Sequence, residues 1–336
     1  MNKYIGLDAH SSTCNFCVMD ATGKVLDEVK IATNGRLLRE YVRNIPAEKT
    51  ITFEECELSS WLYEMFKRED CEILVCNPVE NRKYKAAKTD KLDARQLADL
   101  LRGNFLRPVY HDGSDREKFR DLMSGYQQLV DDAVRIKNRY KSLFRKDGKR
   151  YCGNKLYNDE SLLEELERKD LKFVGIQTYE LLKQMEKLRE EYVREIKKYA
   201  KKFREIRILT TLPGIGSIQA AKIVAQVIDP SRFKNKHKYF SYCGLVRHRQ
   251  ISGDKVYGER KIWGNRTLKC VYKMAAHSAL KGNNEFRRYY DHLRNKGVSH
   301  KGASNAVSCK IAAISLAMWK NNSRFDPKGV TNRITG

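Results

Sequence analysis

The chain has 336 residues, 41 % of them hydrophobic, so it is long enough for two or more domains with real cores and is not disordered as a whole. Lysine plus arginine number 66 against 42 aspartates and glutamates, a formal net charge of +24 that predicts a polyanionic partner and salt-sensitive binding. No run approaches the roughly 18 to 20 apolar residues of a spanning helix and no signal peptide opens the chain, so nucleic acid is favoured over a membrane.

Residues 1–31 read as three strands, KYIGLD, TCNFCVMD and VLDEVKI, with a turn at Asp20–Lys24. A helix over about 36–45, strand TITFE, helix LSSWLYEMFKR, strand CEILVC and a further helix follow, which predicts a mixed sheet. The nine cysteines are an odd, scattered set, expected as reduced thiols in cytosol. Cys14 and Cys17 are three apart on a strand, so they point to opposite faces and cannot jointly grip zinc.

Four acids stand out in this region. Asp8 and Glu54 close two of the strands, and carboxyl ends of neighbouring strands are where open α/β sheets bind ligands. Asp90 and Asp93 in KTDKLDARQLADLL lie three apart at the head of a helix, on one face that continues through Leu97 and Leu100. Acids at the start of a buried stripe cost stability unless a cation meets them. Mg²⁺, with Mn²⁺ able to substitute, is the usual cation for clustered carboxylates facing a phosphate. Strand alternation puts Thr52 and Glu54 on one face and Ile51 and Phe53 on the other.

From about 115 the period changes. Phe119, Leu122, Tyr126, Leu129, Ala133, Ile136, Tyr140 and Leu143 form a heptad seam, and a second runs through Leu181, Met185, Leu188, Tyr192, Ile196, Tyr199, Phe203 and Ile206. Two such helices pair within the chain or between chains. The basic stretch between them, with Lys141, Arg145, Lys146, Lys149 and Arg150, is either a solvated face or a nucleic-acid contact, as is Lys88. Leu212-Pro213-Gly214-Ile215-Gly216 before SIQAAKIVAQVI resembles a helix-hairpin-helix, in which Gly214 and Gly216 would offer backbone amides to a phosphate.

Further on, a loop dense in glycine and cations holds Ser252, flanked by Arg247, His248, Arg249, Arg260 and Lys261. By local chemistry Ser252 is either a turn residue or a nucleophile toward a phosphodiester. Asn265 opens a helix, SNAVSCKIAAISLAMW reads as a core helix, and the tail from Ser323 is expected to be loosely held. Trp61, Trp263 and Trp319 are expected in the core, and His10 near Asp8 in a supporting role.

In order, GLDAH, an acid after a strand, and KTDKLDARQLADLLR resemble the amino-terminal domain of the DEDD transposases of bacterial insertion sequences, the IS one-ten family. LPGIG, CGLVRHRQISG, the Gly-Asn of WGNRTLK and the closing helix resemble that family's carboxy-terminal domain. The resemblance implies an α/β plus all-α chain: a RuvC-like, RNase H-type domain at 1–112, a coiled-coil spacer at 113–207, a small helical domain at 208–322 and a tail at 323–336. It implies a recombinase with Asp8, Glu54, Asp90 and Asp93 as metal-holding acids and Ser252 as nucleophile. The partners it implies are donor and target DNA and a structured guide RNA, in a nucleoid-associated bacterial enzyme of the cytoplasm. Synapsis of two duplexes favours dimers assembling into a tetramer.

The sequence departs from the family at two points. Glu54-Glu55-Cys56 stands where Glu-x-Gly is common, leaving Glu55 as an alternative acid, and Arg247 stands where proline is frequent. Two rival readings remain: a metal-dependent, structure-specific DNA nuclease of the Holliday-junction resolvase kind, and a non-catalytic nucleic-acid scaffold.

Overall fold

The computed structural model describes residues 2–46, 48–81, 90–253, 255–261 and 264–331; the side chains of Glu80, Asn81, Asp90, Lys91, His248, Arg249, Arg260, Lys261 and Thr331 lie outside that description. The chain divides into two compact units, Met1–Ser114 and Asp115–Gly336.

The first unit is a mixed α/β sheet. Its strands are β1 (Lys3–Ala9), β2 (Thr13–Met19), β3 (Val25–Ala32), β4 (Lys49–Glu54) and β5 (Glu72–Cys76), and its helices α1 (Gly35–Asn44), α2 (Ser59–Phe66), α3 (Pro78–Asn81) and α4 (Asp90–Arg102). The strand order is β3-β2-β1-β4-β5. The first three strands form an antiparallel meander, and β1–β4 and β4–β5 are parallel. Asn34 starts α1 by accepting hydrogen bonds from the Arg36 and Leu37 amides.

Period-two alternation sorts the strand residues into two layers. Ile5, Leu7, Phe16, Val18, Ile51, Phe53 and Val75 pack with Leu38 and Val42 of α1 and Leu62 and Phe66 of α2. On the opposite face Cys17 and Met19 meet Ala94 and Ala98 of α4. Cys14 belongs to the first layer and Cys17 to the second, so the CxxC pair is split between two cores as its spacing predicts. None of the nine cysteines forms a disulfide. Trp61 is not a core residue: it is 42 % exposed, lying over Gly35 at the start of α1.

The second unit is helical apart from one hairpin. Its helices are α5 (Asp115–Lys146), α6 (Lys155–Asn158), α7 (Lys169–Lys202), α8 (Arg204–Leu209), α9 (Ser217–Val227), α10 (Lys236–Tyr242), α11 (Arg266–Ala279), α12 (Glu285–Asn295), α13 (His300–Lys320) and α14 (Lys328–Thr331). Helices α5 and α7 pack antiparallel, because Phe119 stacks on Tyr199, Tyr126 meets Tyr192 and Tyr140 meets Tyr179. The first heptad seam faces inward through Phe119, Tyr126, Ile136, Tyr140 and Leu143. The second is displaced in its amino-terminal half: Leu181 and Leu188 are exposed, and Tyr179 and Leu182 take the inward positions. An apolar residue on the outer face of a two-helix pair is indistinguishable in sequence from one in the seam.

Phe119, Met123, Tyr126, Ile196 and Phe203 share one core with α8, α9, α11 and α13, while the tip of the hairpin has a separate core around Tyr140, Phe144, Leu162 and Tyr179. The tail is anchored as far as it is described. Phe325 stacks on Phe286 at 5.8 Å and Val330 is fully buried, which corrects the expectation of a loose end. Among the described residues no helix is long and apolar enough to cross a membrane.

The region around Ser252 is not a loop. Strands β6 (Arg247–Ser252) and β7 (Lys255–Lys261) form a two-stranded antiparallel ribbon with a bulge between Gln250 and Ile251. Gly253, at φ +57°, takes the left-handed conformation that turns the chain. Arginines, lysines and glycines mask the strand signal in RHRQIS and KVYGERK, whose exposed faces need no apolar alternation.

Candidate active site

In β1, Ile5 and Leu7 point to the α1–α2 layer, so Gly6 and Asp8 point to the α4 side. Gly6 has a reason to be glycine. A Cβ there would stand 2.0 Å from the Ala94 carbonyl oxygen and 2.5 Å from the Ala98 amide, so α4 rests on the bare backbone of β1. Register pairs Gly6 with Thr52, which places Glu54, two residues on, on the same face. Thr52 is fully buried and donates its hydroxyl to the Leu74 carbonyl at 2.7 Å. Asp8 and Glu54 therefore emerge at the carboxyl ends of adjacent parallel strands, on the face that α4 covers.

Asp90 opens α4 and Asp93 follows within its first turn, directly before Ala94, which packs on Gly6. Leu97 and Leu100 on the same stripe are buried, as the spacing predicts. Asp8 accepts a hydrogen bond from His10 Nε2 at 3.0 Å. Asn15 lies opposite Asp8 in register, so it shares the acid face; it is only 7 % exposed, and among the described residues its Nδ2 makes no hydrogen bond. A buried amide left unbonded is costly in a native fold and calls for a partner.

Glu54 and Glu55 part company here. The carboxylate of Glu55 binds Nε2 of His111 at 2.6 Å, and His111, whose side chain is 1 % exposed, sits 5.5 Å from the Tyr63 ring of α2. Glu55 is thus drawn to the α2 side. No sequence signal announces this pair, since its partners are 56 residues apart. All the acids on the α4 face are hard oxygen donors, the chemistry of a Mg²⁺ or Mn²⁺ site. Among the described residues no group of three His, Cys, Asp or Glu side chains is gathered closely enough to hold an ion, and the Asp90 carboxylate is outside the description.

In the second unit Ser252 ends β6 and pairs in register with Lys255. At the foot of the ribbon Gly264 approaches Gly244: a Cβ on Gly264 would lie 2.5 Å from the Gly244 amide nitrogen. This pinch explains the glycines of both CGL and WGN. Asn265 caps α11 by accepting from the Leu268 amide at 2.9 Å and donates its Nδ2 to Gln226 at 2.6 Å. Arg247 pairs with Glu259 across the ribbon at 3.2 Å. The side chains of His248, Arg249, Arg260 and Lys261, like all of Lys88 and Trp263, fall outside the described residues.

The glycines of LPGIG have structural duties. Gly214, at φ +87°, would bring a Cβ within 2.2 Å of the Ala275 carbonyl oxygen of α11, and the Gly216 amide donates to Gln219 Oε1 at 3.1 Å. Lys141, Arg145 and Arg150 line a shallow cleft of about 530 Å³ at the hairpin tip, with Lys146 exposed nearby. Lys149 is engaged with Asp147 and Glu167, at 3.0 and 3.2 Å, and with the Glu165 carbonyl.

Comparison with known proteins extends these observations. A family model for IS110-type DEDD proteins, described as "Transposase", matches residues 5–146, and a second, "Transposase IS116/IS110/IS902 family", matches 206–291. An insertion element IS110 uncharacterized 43.6 kDa protein of Streptomyces coelicolor is 29 % identical over 127 residues, 37 % of this chain and 31 % of that protein. The transposase for insertion sequence element IS1111A of Coxiella burnetii is 22 % identical over 263 residues, 75 % of this chain and 71 % of its own length. A pilin gene-inverting protein of Moraxella bovis is 27 % identical over 124 residues, 36 % of this chain and 38 % of that one. The matched part thus spans about a third of the Streptomyces and Moraxella relatives and most of the Coxiella one. With both blocks matched in order on a five-stranded mixed sheet and a helical second unit, the chain belongs to the IS110 (IS one-ten) family of DEDD transposases.

Proposed function

We propose that the protein is a DNA transposase and recombinase that cuts and rejoins strands through the acids Asp8, Glu54, Asp90 and Asp93 and the nucleophile Ser252. The observation that carries this reading is the convergence of β1, β4 and α4: Asp8 and Glu54 end adjacent parallel strands on the face that the Asp93-bearing turn covers. That the Moraxella relative is named for inverting a gene favours rejoining over simple cutting. The two units correspond to a RuvC-like catalytic domain and a region in which the α5–α7 hairpin acts as a coiled-coil spacer before the serine-bearing domain. The α9 turn after LPGIG is proposed as a helix-hairpin-helix-like contact to the nucleic-acid backbone.

When bound, Mg²⁺ would neutralise charge at the scissile phosphate and favour departure of the leaving oxygen. Asp8, Glu54, Asp90 and Asp93 would hold it, and the all-oxygen donor set fits such a hard cation. Glu54 is preferred to Glu55 because Glu55 is already held by His111. His10 steadies Asp8, and the buried Asn15 amide is available to a carboxylate or phosphate oxygen on the same face.

In the serine step, Ser252 Oγ bonds to phosphorus, the P–O3′ bond breaks, the hydroxyl proton leaves to a base and the departing 3′ oxygen gains one. The reverse reaction rejoins a strand without an external energy source. Cationic neighbours of Ser252 on the ribbon would stabilise the crowded phosphate, whereas Arg247, expected from sequence to share that role, lies at the other end of the ribbon opposite Lys261 and pairs with Glu259. The working enzyme assembles as dimers within a tetramer, and a structured element-encoded RNA selects donor and target sites. The resolvase-like alternative uses the same acids with water in place of Ser252.

The test uses a supercoiled plasmid carrying the element's own flanks. Strand cleavage in Mg²⁺ should disappear in EDTA and in Asp8→Ala and Asp93→Ala, while nucleic-acid binding persists. Cleavage retained by either variant would discard the acidic site. RNA should copurify with protein expressed alongside those flanks, and its consistent absence would remove the guide from the reading.

A further inference from the structure

A cleft of the second unit lies away from the Ser252 tip. It encloses about 1200 Å³ between the foot of the ribbon, α11 and the start of α13. Arg247, Lys269, Lys273 and Lys301 line it, with Glu259 as the one carboxylate among the described residues. Glu259 is already paired with Arg247 at 3.2 Å. Among the described residues, Lys269, Lys273 and Lys301 make no ion pair.

Like charges collected around one concavity repel, and the repulsion weakens the fold unless an anion offsets it. Low-dielectric walls also focus the field into the cleft. Lys269 and Lys273 are one helical turn apart on α11, about 6 Å along its axis, while Lys301 and Arg247 come from two other elements. The cations thus reach the cleft from three separate elements. Its volume exceeds the roughly 300 to 1000 Å³ of a small-molecule site. An extended polyanion suits this layout better than a single phosphate.

We infer that this cleft is a binding site for the phosphodiester backbone of a nucleic-acid strand, with Lys269, Lys273 and Lys301 as its principal contacts. The inference rests on the reading of the chain as a nucleic-acid enzyme and adds to it a track separate from the scissile position. Such a track would hold the strand independently of chemistry at Ser252. DNA and RNA share the backbone chemistry, and the experiment separates them.

The full chain and Lys269→Gln/Lys273→Gln/Lys301→Gln are titrated with labelled duplex DNA and with a structured RNA of matched length, by anisotropy at several salt concentrations. Loss of three phosphate contacts should flatten the slope of log K against log[salt] by about 2 to 3 for the polymer that occupies the cleft. The variant's Tm at low salt should equal or exceed that of the wild type, since no ion pair is lost. Should the triple variant fail to fold, Lys273→Gln alone should flatten the slope by about 0.7 to 0.9. Unchanged slopes with both polymers, while the wild type binds steeply, would overturn the cleft and leave the proposed function standing. A wild type that binds neither polymer would overturn that function and the cleft with it.

Discussion

Asp8 and Glu54 sit on strands with a hydrogen-bonded neighbour on each side, whereas Ser252 ends a strand with a neighbour on one side only. The strands bearing the acids are packed on both faces, by α1 and α2 on one and α4 on the other. The ribbon bearing the serine leaves Ile251, Val256 and Tyr257 exposed at 63, 56 and 71 %. A two-stranded hairpin gains little stability alone, so its tip opens at low cost, while the acid face opens only with its sheet. In the proposed reaction the acids require fixed mutual positions and the serine requires reach. A nucleophile that must meet a phosphate and later release it belongs on the more yielding element.

That contrast is open to attack at several levels. The largest expected effect is chemical: Asp93→Ala should lower cleavage about 1000-fold or more while leaving Tm nearly unchanged, because the side chain is only half-buried. A large drop in Tm would make Asp93 a structural acid. Next comes Gly6→Ala, whose methyl must displace backbone of α4. It should cost about 3 kcal/mol and cleavage together, read by denaturant melting beside the activity assay. Full activity at reduced stability would separate the acids' alignment from the seating of α4.

In the second unit the buried chain Tyr239–Tyr272–Ser315, joined at 2.5 and 2.8 Å, ties together α10, α11 and α13. Tyr272→Phe should cost about 1 to 2 kcal/mol in a melt. Tyr257→Ala at the ribbon should shift stability by less than about 0.5 kcal/mol, and amides of β6 and β7 should exchange hydrogen well before those of β1 and β4. Equal protection in both regions would undo the comparison.

The smallest effect concerns pH. The Glu167 amide, with Lys149, holds the Asp147 carboxyl below its usual 3.8. A depressed folded pKa stabilises the fold above the unfolded value and is lost as pH falls through the folded one. Asp147→Ala should therefore melt below the wild type at pH 7, and the gap should close on acidification below about pH 4. A gap independent of pH would locate the effect outside the charge.

What the sequence made legible was local. Alternation in TITFE separated Glu54 from the core residues Ile51 and Phe53, and the three-residue spacing at the head of α4 put Asp93 in line with Leu97 and Leu100. What escaped it depends on contacts distant in the chain. Gly6 reads as a strand glycine until α4 lies on it, Gly264 reads as a turn until Gly244 meets it, and His111 gives no sign that it holds Glu55. The ribbon escaped because its charged, exposed strands lack the apolar alternation that betrays β1 and β4. The cationic cleft draws its lining from β6, β7, α11 and α13, between Gly244 and Ser308, a grouping no linear window can display.

The most direct test of the central claim is a denaturing gel for a protein–DNA adduct, formed on the element's flanking DNA in Mg²⁺. Wild type runs beside Ser252→Ala and Asp93→Ala. A covalent adduct lost in both variants is the predicted result, joining the yielding serine and the fixed acids in one reaction. Cleavage without an adduct, indifferent to Ser252 and lost with Asp93, would contradict it and leave a hydrolytic nuclease.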